Sequence, residues 1–104
     1  MKREKGIASL ESVTATGAGT DVDTRGGSGA RACAVLVIAS DVTTGGTVKV
    51  QGSEDQVNYF DLSTVTVSAD GADEVIVEFP PTWVRANVTA RTDGTYSANV
   101  HKIG

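Results

Sequence analysis

One histidine, His101, and one cysteine, Cys33, are the side chains of this 104-residue chain best suited to proton transfer or nucleophilic attack. A catalytic His101 needs a base–nucleophile contact, and nothing in the spacing indicates one. It falls on a polar-patterned run near the C-terminus and reads as an exposed or interface histidine. Cys33 lies inside the apolar run Ala32–Ala39 and reads as a buried, inert thiol. Gly26-Gly27-Ser28-Gly29-Ala30 approaches a nucleophile elbow but lacks the final glycine and any strand–turn–helix setting. No phosphate-cradling glycine motif is present. Asp21-Val22-Asp23-Thr24-Arg25-Gly26 opens like a calcium loop, yet Arg25 takes the fifth position and Ala32 stands where a bidentate Glu is needed. Asp70, Asp73 and Glu74 read as a solvated acidic turn, because a hard cation needs several converging oxygens. No catalytic, cofactor or metal residue is assigned; the chain reads as a non-enzyme.

Residues suited to binding are easier to name. Trp83 with Arg85 suits a glycan-stacking platform, or else a cap on the end of the domain or a subunit contact, since aromatics and Arg concentrate in interfaces. Ile76 stands between glutamates on an outward face, where it fits subunit burial or a scattered exposed side chain. Lys2, Arg3 and Lys5 form a basic N-terminal arm over residues 1–6, able to grip an acidic neighbour. Asn87-Val88-Thr89 matches a glycosylation sequon, which has no consequence without secretion.

The elements that must carry these residues are strands. Twelve glycines and two prolines, with many Thr and Val, disfavour helices. Ile7–Ala15 reads as a first strand and 16–29 as a loop, crossed by an edge strand near Asp21–Thr24. Ala32–Ala39 is continuously apolar, as expected of a strand covered on both faces. Thr47–Gln51 alternates, Leu62–Val67 places Val65 and Val67 on one face, and Asp70-Gly71 marks a turn. Glu74–Phe79 points Val75, Val77 and Phe79 inward before Pro80-Pro81 ends pairing. Trp83–Arg91 and Thr95–Lys102 flank Thr92-Asp93-Gly94. Read as a hairpin, they pair Ala90 with Tyr96, Val88 with Ala98 and Ala86 with Val100, with Gly94 at positive φ. Trp83, Arg85, Asn87, Thr89, Arg91, Ser97, Asn99, His101 and Ile103 then form one outward face. The spacing predicts an all-β fold: an antiparallel β-sandwich, jelly-roll-like, of about seven or eight strands. It forms a single domain over 7–104 after the arm.

Composition narrows the function. The net charge of −4 argues against nucleic acid. The longest apolar run is too short to span a bilayer, so no membrane partner is expected. One cysteine forms no intrachain disulfide, and no apolar segment follows the basic start as a signal peptide requires. The expectation is a soluble protein made in the cytoplasm.

Val48-Lys-Val-Gln-Gly-Ser-Glu-Asp-Gln-Val-Asn-Tyr-Phe-Asp-Leu62, followed by Trp83-Val-Arg-Ala-Asn-Val-Thr-Ala90, resembles a group of small tailed-bacteriophage virion proteins. Their pattern runs strand, Gly-Ser-x-Asp turn, Asn-aromatic-x-x-Leu, aromatic-Val-Arg-Ala strand and a Gly-Thr hairpin. Gln56 departs from it, standing where Gly is expected. The resemblance implies a capsid decoration (cement) protein on the outside of a phage head. Its partner would be the major capsid protein. It would be a symmetric homo-oligomer, with a trimer suited to a three-fold site by analogy. It also implies that Gly52 and Ser53 leave the strand and that Asp55 and Asn58 cap the turn. Tyr59, Phe60 and Leu62 would anchor the loop, Val84 and Ala86 pack inward, and Arg85 face outward. A carbohydrate-binding module and a tail or neck component of the virion are the alternatives. Contacts are expected on the arm, on 16–29 and on a Trp83/Arg85/His101 face.

Overall fold

The computed structural model describes residues 5–24 and 31–103. These form nine strands and no helix: β1 (Ile7–Val13), β2 (Gly17–Ala18), β3 (Val22–Asp23), β4 (Ala32–Ser40), β5 (Gly46–Ser53), β6 (Phe60–Val67), β7 (Gly71–Glu78), β8 (Trp83–Arg91) and β9 (Thr95–Ile103). Valines on alternate positions supply the buried faces, and branched side chains pack well on a pleated surface. Val35 and Val37 of β4, Val48 and Val50 of β5, Val84 and Val88 of β8 and Val100 of β9 meet in one core around the buried Tyr96 ring.

Two antiparallel sheets enclose that core. One has the order β1-β9-β4-β7 and the other β2-β8-β5-β6, with β3 also pairing β8. β2 and β3 are two-residue pieces of one broken edge strand, at Gly17↔Val88 and Val22↔Val84. Counted as one, they make eight strands. Successive strands change sheet at every connection except β5 to β6, which is the double Greek-key order of a jelly roll. The expected sandwich is therefore present, with the short β2 as an addition.

The expected β8–β9 hairpin does not form. β8 pairs β5, β2 and β3, while β9 pairs β4 and β1 in the opposite sheet. Thr92–Gly94 arches over the end of the sandwich. Alternation places Val84, Ala86 and Val88 toward the core, and Ala98 and Val100 likewise, whether the two strands pair or face each other. The apolar pattern selects the inward face and leaves the sheet undecided. Docking decides it: the Asp93 carboxylate accepts N–H bonds from Thr43, Thr44 and Gly45 (2.8–3.1 Å), and Thr92 N–H donates to Gly45 O (2.9 Å). Gly94 does sit at φ 102°, as the turn requires.

Other departures have local causes. The β5–β8 register slips between Thr47↔Ala90 and Val48↔Val88, so a bulge at Thr89 turns Ala90 outward. Gly52 and Ser53 remain in β5, paired with Val84 and Trp83, instead of leaving the strand. Phe79 lies beyond β7 at φ 49°, with its N–H donated to Arg31 O (2.9 Å), so its ring swings out of the core. Ile103, assigned outward by alternation, is buried.

The two sheets are also stitched along one flank. A bulge in β1 between Ala8 and Leu10 turns Ser9 inward. Its Oγ donates to Thr20 O (2.8 Å) and accepts from Ala86 N–H of β8 (3.0 Å). Thr20 N–H donates to Ser9 O (2.8 Å) and Gly19 N–H to Ala86 O (2.8 Å).

Candidate functional site

One end of the sandwich gathers the loop 54–59 between β5 and β6 and the segment 79–82 between β7 and β8. Both are held by their own hydrogen bonds. Ser53 Oγ, buried at the end of β5, accepts from Asp55 N–H (3.2 Å) and Gln56 N–H (2.9 Å) and donates to Asp55 Oδ1 (3.0 Å). Asp55 accepts from the N–H groups of Val57 (2.9 Å) and Asn58 (2.8 Å) and from Asn58 Nδ2 (2.8 Å). Those bonds, Asn58 N–H foremost, hold its carboxyl far below the usual carboxylate range. The capping roles implied for Asp55 and Asn58 are thus seen. Gln56 takes φ 62° where glycine was expected, a left-handed conformation that the surrounding bonds enforce.

Glu54 ties the two segments together. Its carboxylate accepts Thr82 N–H (2.6 Å) and Thr82 Oγ1–H (3.3 Å). Thr24 Oγ1, fully buried, donates to Pro81 O (2.6 Å). On this braced frame stand three outward apolar side chains: Val57 (78 % exposed), Phe60 (50 %) and Phe79 (84 %). Phe60 was expected to anchor the loop and Phe79 to face inward; both instead face solvent. Leu62 does pack against the core.

The outer face of the β2-β8-β5-β6 sheet is a closed polar network. Gln51 Oε1 accepts from Arg85 Nε (3.1 Å) and Asn87 Nδ2 (3.2 Å), and Gln51 Nε2 donates to Asp61 Oδ1 (2.9 Å). Lys49 Nζ pairs with Asp61 Oδ2 at 2.9 Å. The amide of Gln51 and the ammonium of Lys49 lower the Asp61 pKa. The Arg85 guanidinium lies 3.5 Å from the centroid of the Tyr59 ring, a cation–π contact. Tyr59 OH and Gln56 Nε2 both donate to Asp21 Oδ2. Burial and then the Asp21 bond raise the Tyr59 pKa.

The outer face of the β1-β9-β4-β7 sheet differs in character. Alternation turns Ala32, Ala34, Leu36 and Ile38 of β4 away from the core, against Ile76 and Ala72 of β7 and His101, Asn99 and Ser97 of β9. Ile76, Ala34 and His101 form one row across the sheet. Ile76 is 51 % and Ile38 39 % exposed. Among the described residues these two keep the largest exposed apolar area of this face, although β4 reads as a strand covered on both sides.

The predicted site residues are therefore dispersed. Trp83 and Arg85 lie on one outer face, at the braced end, and His101 lies on the opposite face. Their separation follows from β8 and β9 occupying different sheets. Ile76 shares His101's face. Lys5 is exposed just before β1, while Lys2, Arg3 and Gly26–Gly29 fall outside the described residues. Cys33 faces the core, its thiol pushed up to about 11 by burial. Its neighbour in the strand, Ala34, pairs with His101, so the thiol and the imidazole point to opposite sides of the sheet. Asp70 accepts Val42 N–H (2.7 Å), and no described group of three His, Cys, Asp or Glu is placed to hold a metal. No described helix is long and apolar enough to cross a membrane.

Sequence reasoning missed Val57, Asp21 and Gln51. Ser53-x-Asp55 and Asn58 did signal a braced turn, and the turn's apex is where an apolar residue such as Val57 projects. The links from Asp21 and Gln51 are long-range and have no local signature.

No family model, curated protein or solved structure matches the chain.

Proposed function

We propose that this chain is a structural protein of a tailed-phage virion. In this reading it is made in the host cytoplasm and binds the outside of the head as a homo-oligomeric decoration protein, with the major capsid protein as partner. The observation that carries this reading is the braced end. Val57, Phe60 and Phe79 project from segments whose backbones are already fixed by Asp55, Glu54 and the Arg31 carbonyl. Apolar side chains on a rigid frame suit pockets on another folded surface. The basic residues Lys2, Arg3 and Lys5 add charge for a second contact on the same partner, and linked contacts reinforce each other. A passive role rather than turnover is favoured by the placement of Cys33 and His101 on opposite sides of one sheet. A glycan platform of Trp83 with Arg85 has less support, because the Arg85 guanidinium is already stacked on the Tyr59 ring.

The test is co-sedimentation with undecorated phage heads, followed by heating of the decorated shells. The protein should pellet with shells and raise the temperature at which they burst. Val57→Ser with Phe79→Ser should weaken binding roughly tenfold or more, equivalent to about 1.4 kcal/mol, while the isolated protein melts as before. Absence of association with heads at every salt concentration overturns the decoration role. Association with purified tails instead would assign the protein to the tail.

A further inference from the structure

We propose that the N-terminal arm of one copy of this chain pairs, as an added strand, along the free edge of β7 in a neighbouring copy. Among the described residues the sheet edges belong to β1 and β7 in one sheet and to β6 and the β2/β3 pieces in the other. Most of these edges are irregular. β1 slips register twice against β9, β6 slips once against β5, and β2 and β3 are two residues each. Bulged and very short edges are poor templates for a further strand. β7 is the exception. It pairs β4 without a slip from Gly71↔Ala39 to Glu78↔Ala32, and Ala72, Asp73, Glu74, Ile76 and Glu78 are exposed. Its other side bonds to no described strand.

Charge selects the occupant. Asp73, Glu74 and Glu78 make this edge acidic. Pairing β7 with β7 of a second copy would bring both sets of carboxylates into one ladder, which is unfavourable. An extended basic segment meets no such penalty, and the chain has one in Lys2, Arg3 and Lys5. Arg3 and Lys5 alternate, so in an added strand both share the outer side with Glu74 and Glu78, where opposite charges across a ladder stabilise the pair. Lys2 and Glu4 take the other side, with Asp73. Segment 25–30, also outside the described residues, carries one Arg among three glycines, a composition that disfavours strands.

Reach decides which copy supplies the arm. β1 and β7 are opposite edges of one sheet, with β9 and β4 between them. At about 4.8 Å per strand, a position on the free side of β7 lies about 19 Å from β1. Residues 1–4 extend at most about 14 Å beyond Lys5. The chain's own arm falls short, so the occupant comes from a second copy. A contact from one edge to the opposite edge runs head to tail and closes as a ring. β7 leads directly into Phe79. An arm laid along β7 therefore stays beside the neighbour's braced tip, on the side turned to the shell in the reading above.

Isolated protein tests this link apart from the shell reading. Sedimentation equilibrium across the micromolar range should give a multi-copy mass for the full chain. Deleting residues 2–5 should give a single-copy mass with an unchanged thermal melt. Glu74→Lys with Glu78→Lys, both at exposed positions, should weaken association at least about tenfold. Adding Arg3→Glu and Lys5→Glu to that chain should restore it, because the charges then match again with their signs exchanged. A single-copy mass for the full chain at every concentration overturns the proposal. So does a multi-copy mass that survives deletion of the arm. Failure of the charge-exchange rescue overturns β7 as the edge that receives the arm.

Discussion

Ser9 shows how much one hydroxyl can hold. It bonds Thr20 O and Ala86 N–H at once, joining an edge of one sheet to the middle of the other. Ser9→Ala leaves both backbone groups without that partner, at a cost of about 1–3 kcal/mol, measurable as a lower midpoint in urea. The acidic caps make a second prediction. In Asp93 the N–H groups of Thr44 and Gly45 lower the folded pKa, and Asp55 and Asp61 are lowered likewise. A lowered folded pKa means stability that is fully present above the unfolded value of about 3.9 and lost as pH falls through the folded values. The melting temperature should be level from neutral pH down to about 5 and drop below about 4. Asp93→Asn should lower the neutral plateau and flatten part of the acid limb, while a melting profile flat down to the folded values would contradict this account. None of the Ser9 bonds was legible in the sequence, because a serine in a strand carries no mark of an inward bulge. Asp55 and Asn58 were legible, because their partners lie within three residues.

At the level of elements, alternation located the strands well: β4, β8 and β9 begin where the pattern begins. Pairing was not legible: the one pair read from the sequence, β8 with β9, does not form, and the β5–β6 hairpin that does form was not read. The β8–β9 connection looked like a hairpin because an arch and a hairpin present the same inward residues and can use the same left-handed glycine. What separates them is the bonding of Asp93 to the β4–β5 loop, a contact across about fifty positions of sequence with no local trace. Gly94 tests the arch. A Cβ there would lie 2.5 Å from the Tyr96 ring and 3.0 Å from Val42 Cγ2, at φ 102°. Gly94→Ala should therefore destabilise by more than about 1 kcal/mol, whereas the exposed Thr92→Ala should be close to neutral. Equal melts for the two variants would show that the arch tolerates a side chain.

The whole molecule is assembled almost entirely from contacts between distant segments. β1 pairs with β9, and every other strand except β5 and β6 bonds only to strands that are not its chain neighbours. Loop closure must precede most of the burial, so refolding should be slow, on a scale of about milliseconds to seconds. Stopped-flow fluorescence of Trp83 reads this directly; completion within microseconds would contradict the topology. The candidate surfaces were only partly visible beforehand, because a surface is a property of the closed sandwich. Trp83 and Arg85 were rightly placed outward, but the residues that now share Trp83's end, Val57 and Phe79, come from other connections.

The left-handed torsions at Gln56 and Phe79 have one more consequence. Conformational freedom surrendered during folding is not surrendered again at encounter, so a partner meeting Val57 and Phe79 loses little entropy by arresting them. Engagement at this tip should then resemble key and lock, with association rates governed by diffusion and ionic strength and insensitive to any rearrangement of the loops.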